Sequence, residues 1–373
     1  MKNIFYAGNN FDGLSVLKRT GLEVNLVYID PPFATGQDFL MNGHRANSIS
    51  SSGTLAYTDT ATGEDYLETL HSQLDLIKQV MAPNASIYVH IGVNVEHHVR
   101  LLMDSVFGKR HFRNSITRVK CNPKNFPRLS YGNVKDTILF YSHSSNDMTW
   151  NPQRQPYTEL ELLKLYPRVD SEGRRYTTTP LHAPGTTKNG ATGSAWRGMY
   201  PPEGRHWRVP PARLDELDGL GLIAWSKTGN PRLIKYADEA EGKLPQDIWY
   251  YKDPANPMYP TQKNAEMLRR IILTSSHPDD VILDCFAGSG EALIQAHSLG
   301  RRFVGMDSSE WSHQVIQERM SHVDKEWIIA DGVPGLRDIR TSRKQAQSTG
   351  NARRDISQGF TPSQARQTLF AEV

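Results

Sequence analysis

The sequence predicts an α/β chain built on a mostly parallel sheet, and three observations carry that prediction. Short apolar runs without strict alternation, "VNLVYI", "SIYVHI", "VILD" and "RFVGMD", read as strands buried on both faces. Between them lie segments with helical apolar spacing, such as Leu67, Leu70, Leu74 and Ile77, or Val95, Val99, Leu102 and Val106. A glycine loop, "CFAGSG", joins a strand directly to a helix.

Taken in order, "NIFYAGNN" opens with a short strand, Leu14, Val16 and Leu17 mark a brief helix, and "VNLVYI" is the next strand, making a βαβ unit. That strand ends at Asp30, because Pro31 and Pro32 have no N–H to donate to a ladder. Carboxyl ends of strands are where open α/β sheets bind ligands, so Asp30 and Phe33 stand on a projecting turn at a predicted site. The Ser/Thr/Gly-rich "NSISSSGTLAYTDTATGED" lacks an apolar period and is expected to be a mobile loop or lid. A helix from Tyr66 is stopped by Pro83, "SIYVHI" is a buried strand, a second amphipathic helix follows, and "DTILFYS" is a further strand. From about 143 to 247 the alternation fades into turns, with Trp196, Trp207, Trp225 and many arginines; this reads as an inserted module whose aromatics suit base stacking or a small core. Alternation returns with the helix "AEMLRRIILTSS", the strand "VILD", the glycine loop, the helix "EALIQAHSL" ended by Gly300, and "RFVGMD". The tail beyond Asp331 has weak periodicity.

At 373 residues the chain has room for one large catalytic domain and an accessory module. Its two cysteines, Cys121 and Cys285, make neither a disulfide framework nor a zinc spacing, so no metal is expected and a reducing cytoplasm is favoured. No apolar run approaches a membrane span, which predicts no membrane partner. The net charge of +3 is small, but residues 105–135 contain no acid while holding Lys109, Arg110, Arg113, Arg118, Lys120, Lys124 and Arg128. A cationic run without compensating acids reads as a phosphate-contacting stretch.

Gly288 and Gly290 separate a strand from a helix and Asp307 ends the following strand, the layout of a nucleoside-binding βαβ unit. Leu293 stands where a dinucleotide fingerprint would carry its third glycine, so the loop is not shaped for a pyrophosphate. Asp307 is placed to accept from a ribose diol.

"DPPF" first, "DCFAGSG" later and "YPTQK" just ahead of the second make an order that resembles the β-class amino-methyltransferases of DNA, and further stretches are similar to type III restriction-modification methylases and related solitary enzymes. The resemblance implies a Rossmann-like, S-adenosylmethionine-dependent methyltransferase fold with circularly permuted motif order and an inserted target-recognition region. It divides the chain into a catalytic half (1–142), a target-recognition insert (143–247), a cofactor-binding half (248–335) and a tail (336–373). S-adenosyl-L-methionine would lie against Asp284, Phe286, Gly288 and Gly290, with its ribose on Asp307, its adenine near Asn9 and its methionine end near Thr261, Gln262 and Lys263. Asp30 and the Pro31 carbonyl would accept the protons of an exocyclic amino group, while Pro32 and Phe33 complete the motif and Phe33 stacks on the base. The implied partner is double-stranded DNA with the target base flipped out; a restriction subunit and a homodimer remain open.

The chain departs from the family pattern at Asn9, Cys285, Asn264 and Glu291, the last a carboxylate at a helix N-terminus close to where the methionine carboxylate would lie. Asp30, where cytosine-N4 enzymes commonly carry Ser, puts adenine N6 ahead of cytosine N4. An inactive DNA-binding protein of the same fold and a nucleotide-dependent oxidoreductase are the competing classes, the latter disfavoured by the missing glycine.

Overall fold

A computed structural model describes residues 2–33, 37–42, 45–47, 54–59, 64–123, 125, 127 and 129–329, and the tail beyond 329 lies outside the described residues. The chain divides into two units, residues 1–153 with 246–373 and residues 154–245.

The first unit is organised by a nine-stranded sheet. Its strands are β1 (Asn3–Ala7), β2 (Val24–Ile29), β3 (Met81–Ile91), β4 (Phe112–Val119), β5 (Lys135–Ser142), β6 (Ile248–Tyr250), β7 (Val281–Asp284), β8 (Arg302–Asp307) and β9 (Lys325–Ile329). Their spatial order is β6-β4-β5-β3-β2-β7-β8-β1-β9. All neighbouring pairs are parallel except β3–β5 and β4–β5. The strand that precedes the glycine loop, β7, comes late in the chain yet lies beside β2 near the centre of the sheet, so the carboxyl ends of β2, β7 and β8 open onto one crevice.

Period-two alternation along the strands makes two apolar faces. Val27, Ile29, Ile87 and Val89 pack with Leu14, Leu70, Leu74 and Val99 of helices α1 (Asn10–Thr20), α2 (Glu64–Val80) and α3 (Glu96–Phe107). Phe5, Leu26, Tyr28 and Ile282 pack on the other face with Met267, Ile271, Leu293 and Ile316 of α4 (Ala265–Ser275), α5 (Glu291–Ser298) and α6 (Glu310–Arg319). The sheet is therefore covered on both sides, as the continuous apolar runs predict.

Two local expectations change. The helix expected to run to Pro83 ends at Val80, and Pro83 falls in the first residues of β3, where the pairing with β2 shifts register between Val24 and Leu26 and a missing N–H is tolerated. Thr54–Asp59, within the expected lid, is a strand antiparallel to Gln37–Asn42, which also pairs with Arg45–Asn47. The alternating "TLAYTD" is compatible with that pairing despite the polar flanks.

The second unit holds a four-stranded antiparallel sheet, ordered Ile223–Trp225, Pro231–Tyr236, Arg175–Pro180 and Arg168–Val169, and the small ladder His182–Pro184 with Arg205–Trp207. Trp196 and Trp207 are buried in its core with Leu181, Leu214 and Leu217. These two indoles serve packing, and their N–H groups donate to Asp215 Oδ1 (2.9 Å) and the Ser194 carbonyl (3.0 Å). Trp225 stacks on Trp196 and keeps an exposed face.

Candidate active site

β2 delivers Asp30 to the carboxyl edge of the sheet, and the two prolines stop the strand there. Asp30 Oδ2 forms an ion pair with Lys263 Nζ, which also donates to the Thr261 carbonyl (3.1 Å) and lies 5.3 Å from the Phe33 ring centre. Asp30 Oδ1 is buried and has no hydrogen-bond partner among the described residues. A buried carboxylate oxygen without a donor is costly unless a ligand completes it. Phe33 lies against Gly92, where a Cβ would come within 2.9 Å of the ring; glycine is what permits that approach.

Across the crevice, Asp284 Oδ1 accepts from the Phe286 N–H (3.0 Å). The Gly288 N–H donates to Asp307 Oδ2 (2.7 Å) and the Ser309 N–H to Asp307 Oδ1 (2.8 Å), which fixes the carboxylate. Gly288 and Gly290 have φ of 51° and 70°, and a Cβ at Gly290 would sit 2.7 Å from Ile316, so both glycines are required by the backbone. Burial pushes the Asp284 carboxyl well above its ordinary range, reinforced by Asp30 and Asp307, and burial also raises Asp307.

One cavity of about 600 Å³ is lined by Asp30, Pro31, Pro32, Phe33, Asn9, Thr261, Gln262, Lys263, Asp284, Phe286, Gly288 and Asp307. Of the expected catalytic and cofactor residues, Gly290 alone is not on its wall; it shapes the turn into α5 instead. The volume suits a nucleoside-sized ligand together with a base. Among the described residues on this wall Lys263 is the one basic side chain, and it is paired with Asp30.

Several supports carry no sequence signature of their own. Glu291, feared as a clash with the cofactor carboxylate, is neutralised by Arg319, whose guanidinium donates to Oε2 (2.7 Å) and to the Ser289 carbonyl (2.8 Å). Its oxygens also accept from Gln262 (3.0 Å) and Gln295 (2.9 Å), so Glu291 anchors the "TQK" segment to the start of α5. Asn9 caps α1, its Oδ1 accepting from the Phe11 N–H (2.8 Å). Asn10 donates to the Cys285 carbonyl (3.3 Å) and accepts from Gln73 (2.9 Å), tying α1 and α2 to the glycine loop.

The described residues of the basic run do not form one surface. Register places Phe112 beside Tyr141 and Val119 beside Lys135, while Ile91 lies beside Thr137. Lys109, Arg110 and Arg113 therefore lie towards the amino ends of β2 and β3, at the edge away from Asp30, and Lys120 lies at the carboxyl edge. Arg113 donates to Ser142 Oγ (2.8 Å) and the Ser144 and Ser145 carbonyls (2.9 and 2.6 Å). Arg118 is fully buried, donating to the Tyr251 carbonyl (2.8 Å) and pairing with Asp136 and Asp253, and Lys120 pairs with Asp136 (2.7 Å). Arg118 is thus structural, and the expectation of a phosphate contact there is corrected. Lys124 and Arg128 lie outside the described residues. Neutralising Lys109 and Arg110 together should leave the salt dependence of DNA binding unchanged; losing two phosphate contacts would lower the log–log slope by about 1.8.

A mostly parallel α/β sheet whose carboxyl edge joins a proline-ended acid to a glycine loop of nucleoside-binding type frames a site for a nucleoside cofactor beside a carboxylate. The sequence model of the DNA methylase family N6_N4_Mtase matches residues 24–318. The type II methyltransferase M.EcaI of Enterobacter cloacae is 37% identical over 327 residues, spanning 86% of this chain and 70% of that protein. The Mod subunit of the type III restriction-modification enzyme StyLTI of Salmonella typhimurium is 25% identical over 326 residues, spanning 77% of this chain and 48% of that protein. Among solved structures, the M1.HpyAVI–SAM complex aligns with a TM-score of 0.46 at 14% identity, covering 85% of this chain and 98% of that one. The cytosine-N4-specific PvuII DNA methyltransferase aligns at 0.43 and 11%, covering 88% and 95%. The chain belongs to the N6-adenine/N4-cytosine DNA methylase family. No described helix is long and apolar enough to cross a membrane.

Proposed function

We propose that this methyltransferase modifies the exocyclic N6 of adenine in DNA, at a base turned out of the duplex into the cavity beside Phe33. The observation that carries the reading is Asp30 Oδ1, a buried acceptor without a partner on the wall of the same cavity that Asp307 and the glycine loop line.

S-adenosylmethionine, when bound, supplies an electrophilic sulfonium methyl to the amino nitrogen. The chain's own residues do the rest. An exocyclic amino nitrogen is a poor nucleophile because its lone pair is delocalised into the ring. Asp30 Oδ1 and the Pro31 carbonyl accept its two protons, hold it in the direction of attack and stabilise the positive charge that develops on nitrogen. Phe33 stacks on the base, and the ion pair with Lys263 holds Asp30 in place. Transfer would be direct, with no covalent enzyme intermediate: the nitrogen–methyl bond forms as the methyl–sulfur bond breaks, the neutral thioether is the leaving group, and the Asp30 carboxylate takes the proton that the nitrogen then gives up. Turning the base out costs about a few kcal/mol, offset by these contacts.

Asp307 would accept from the ribose diol, supported by the two backbone donors that orient it. Asp307→Ala should weaken S-adenosylmethionine binding by about 1.5–3 kcal/mol in calorimetric titration, and unchanged affinity would remove that assignment. The insert, residues 143–247, is assigned target reading, and a restriction subunit or a second copy would be partners of the assembled enzyme. The reading of adenine over cytosine rests on Asp30 at the head of the motif. Methylation-aware sequencing of DNA from a host expressing the protein tests it: N6-methyladenine in a fixed context is expected, and N4-methylcytosine in that role would transfer the assignment to cytosine.

A further inference from the structure

Tyr28, His90 and Asp136 form a buried polar chain that the reaction described above does not use. Tyr28 stands two residues before Asp30 on β2 and lines the same cavity. Pairing of Ile29 with Val89 brings His90 of β3 beside them, and pairing of His90 with Ile138 brings β5 and Asp136 alongside. Tyr28 Oη is 2.9 Å from His90 Nδ1, and His90 Nε2 is 3.4 Å from Asp136 Oδ2. The second contact is an electrostatic one rather than a hydrogen bond, and Nε2 has no hydrogen-bond partner among the described residues, so the Asp136 carboxylate is the charge it faces. His90 is fully buried and Tyr28 and Asp136 nearly so.

The chain has only one consistent placement of protons. Asp136 is flanked by the Arg118 guanidinium (3.4 Å) and the Lys120 ammonium (2.7 Å), so it is a carboxylate and can only accept. Burial and then Lys263 favour a neutral His90 ring against the opposing pull of Asp136 and Asp30. In a neutral ring facing a carboxylate, Nε2 carries the proton and Nδ1 presents its lone pair. The Tyr28 hydroxyl must then donate to Nδ1. Its remaining hydrogen-bonding capacity is lone pairs alone.

We propose that the buried chain Asp136–His90–Tyr28 fixes the Tyr28 hydroxyl with its lone pairs towards the reacting amino group, where it shares a proton of that group with Asp30 and steadies the positive charge that develops there. The inference rests on the proposed methyl transfer. Tyr28 is the residue at the reacting centre, and His90 and Asp136 are positioning residues acting through it. The groups facing His90 are Tyr28 from β2, Asp136 from β5, Asp30 and Phe33 from the turn after β2, and Lys263 from the segment before α4.

Two measurements test this. In the full-length protein without cofactor or DNA, side-chain ¹⁵N NMR of His90 should report the Nε2-protonated tautomer at neutral pH; a proton on Nδ1 would overturn the proposal. In single-turnover transfer at saturating cofactor and DNA, Tyr28→Phe, which keeps the ring, should be slower by about tenfold with unchanged cofactor affinity. As pH falls through the His90 titration the ring would become a donor on Nδ1 and turn the hydroxyl round. The wild-type rate should therefore show an acid limb that Tyr28→Phe lacks, a difference a packing role would not produce. An equally fast Tyr28→Phe, or an identical pH profile, overturns this inference alone, whereas a wild-type protein that transfers no methyl group to DNA removes the proposed function and this inference together.

Discussion

Asp30→Ala is expected to lower methyl transfer to DNA by at least about a hundredfold while leaving S-adenosylmethionine binding nearly intact. In the proposed site the carboxylate would touch the amino group through an oxygen that no described protein group satisfies, whereas the ribose would sit on Asp307, which the Gly288 N–H orients. Lys263 would lose its ionic partner but keep the Thr261 carbonyl, so the cavity wall retains a hydrogen bond at that point. Single-turnover transfer and calorimetry on the same preparation separate the two effects. A parallel loss of cofactor binding would move Asp30 from the acceptor-base side of the site to the cofactor side.

Arg118→Met is expected to destabilise the fold by about 3 kcal/mol, the second large effect. Its guanidinium joins β4, β5 and the segment after β6 through Tyr251, Asp136 and Asp253 in a fully buried position. Methionine keeps most of the apolar stem but leaves the buried Asp136 with fewer counter-charges. Burial alone would raise the Asp136 carboxyl; the His90 contact and then Lys120 outweigh it and hold the group well below the usual carboxylate range. A depressed acid contributes stability that is complete above its unfolded pKa and lost as pH falls through the folded one, so this contribution should survive mild acid and disappear only below the ordinary carboxylate range. Denaturant titration should show a lower midpoint at unchanged slope, and an unchanged midpoint would mean that Arg118 is not holding this edge of the sheet together.

The central strands were legible because strands buried on both faces leave continuous apolar runs. "VNLVYI", "VILD" and "RFVGMD" are β2, β7 and β8 residue for residue. The proline stop after Asp30 and the glycine loop were equally visible, since both are backbone requirements written in residue type. Contacts between distant segments were not. Lys263 meets Asp30 at the end of β2, Glu291 meets Arg319 between α5 and α6, and Tyr28, His90 and Asp136 meet across the parallel β2–β3 and antiparallel β3–β5 pairs, all contacts that only the tertiary fold makes. A weak signal existed for the last group: a tyrosine and a histidine inside apolar strands, and an acid opening "DTILFYS", need partners when buried. The basic run is continuous only along the chain, because β4 spreads its eight residues over about 26 Å between opposite edges of the sheet. Acids that balance the run, Asp136 and Asp253, lie outside it in sequence and against it in space.

The most direct test of adenine-N6 transfer is nucleoside mass spectrometry of duplex DNA incubated with the purified protein and S-adenosylmethionine labelled in its methyl group. Label in N6-methyladenine, absent with Asp30→Ala, is the predicted result. Label confined to N4-methylcytosine would contradict the choice of base, and unlabelled DNA from a protein that binds the cofactor would contradict the enzyme itself.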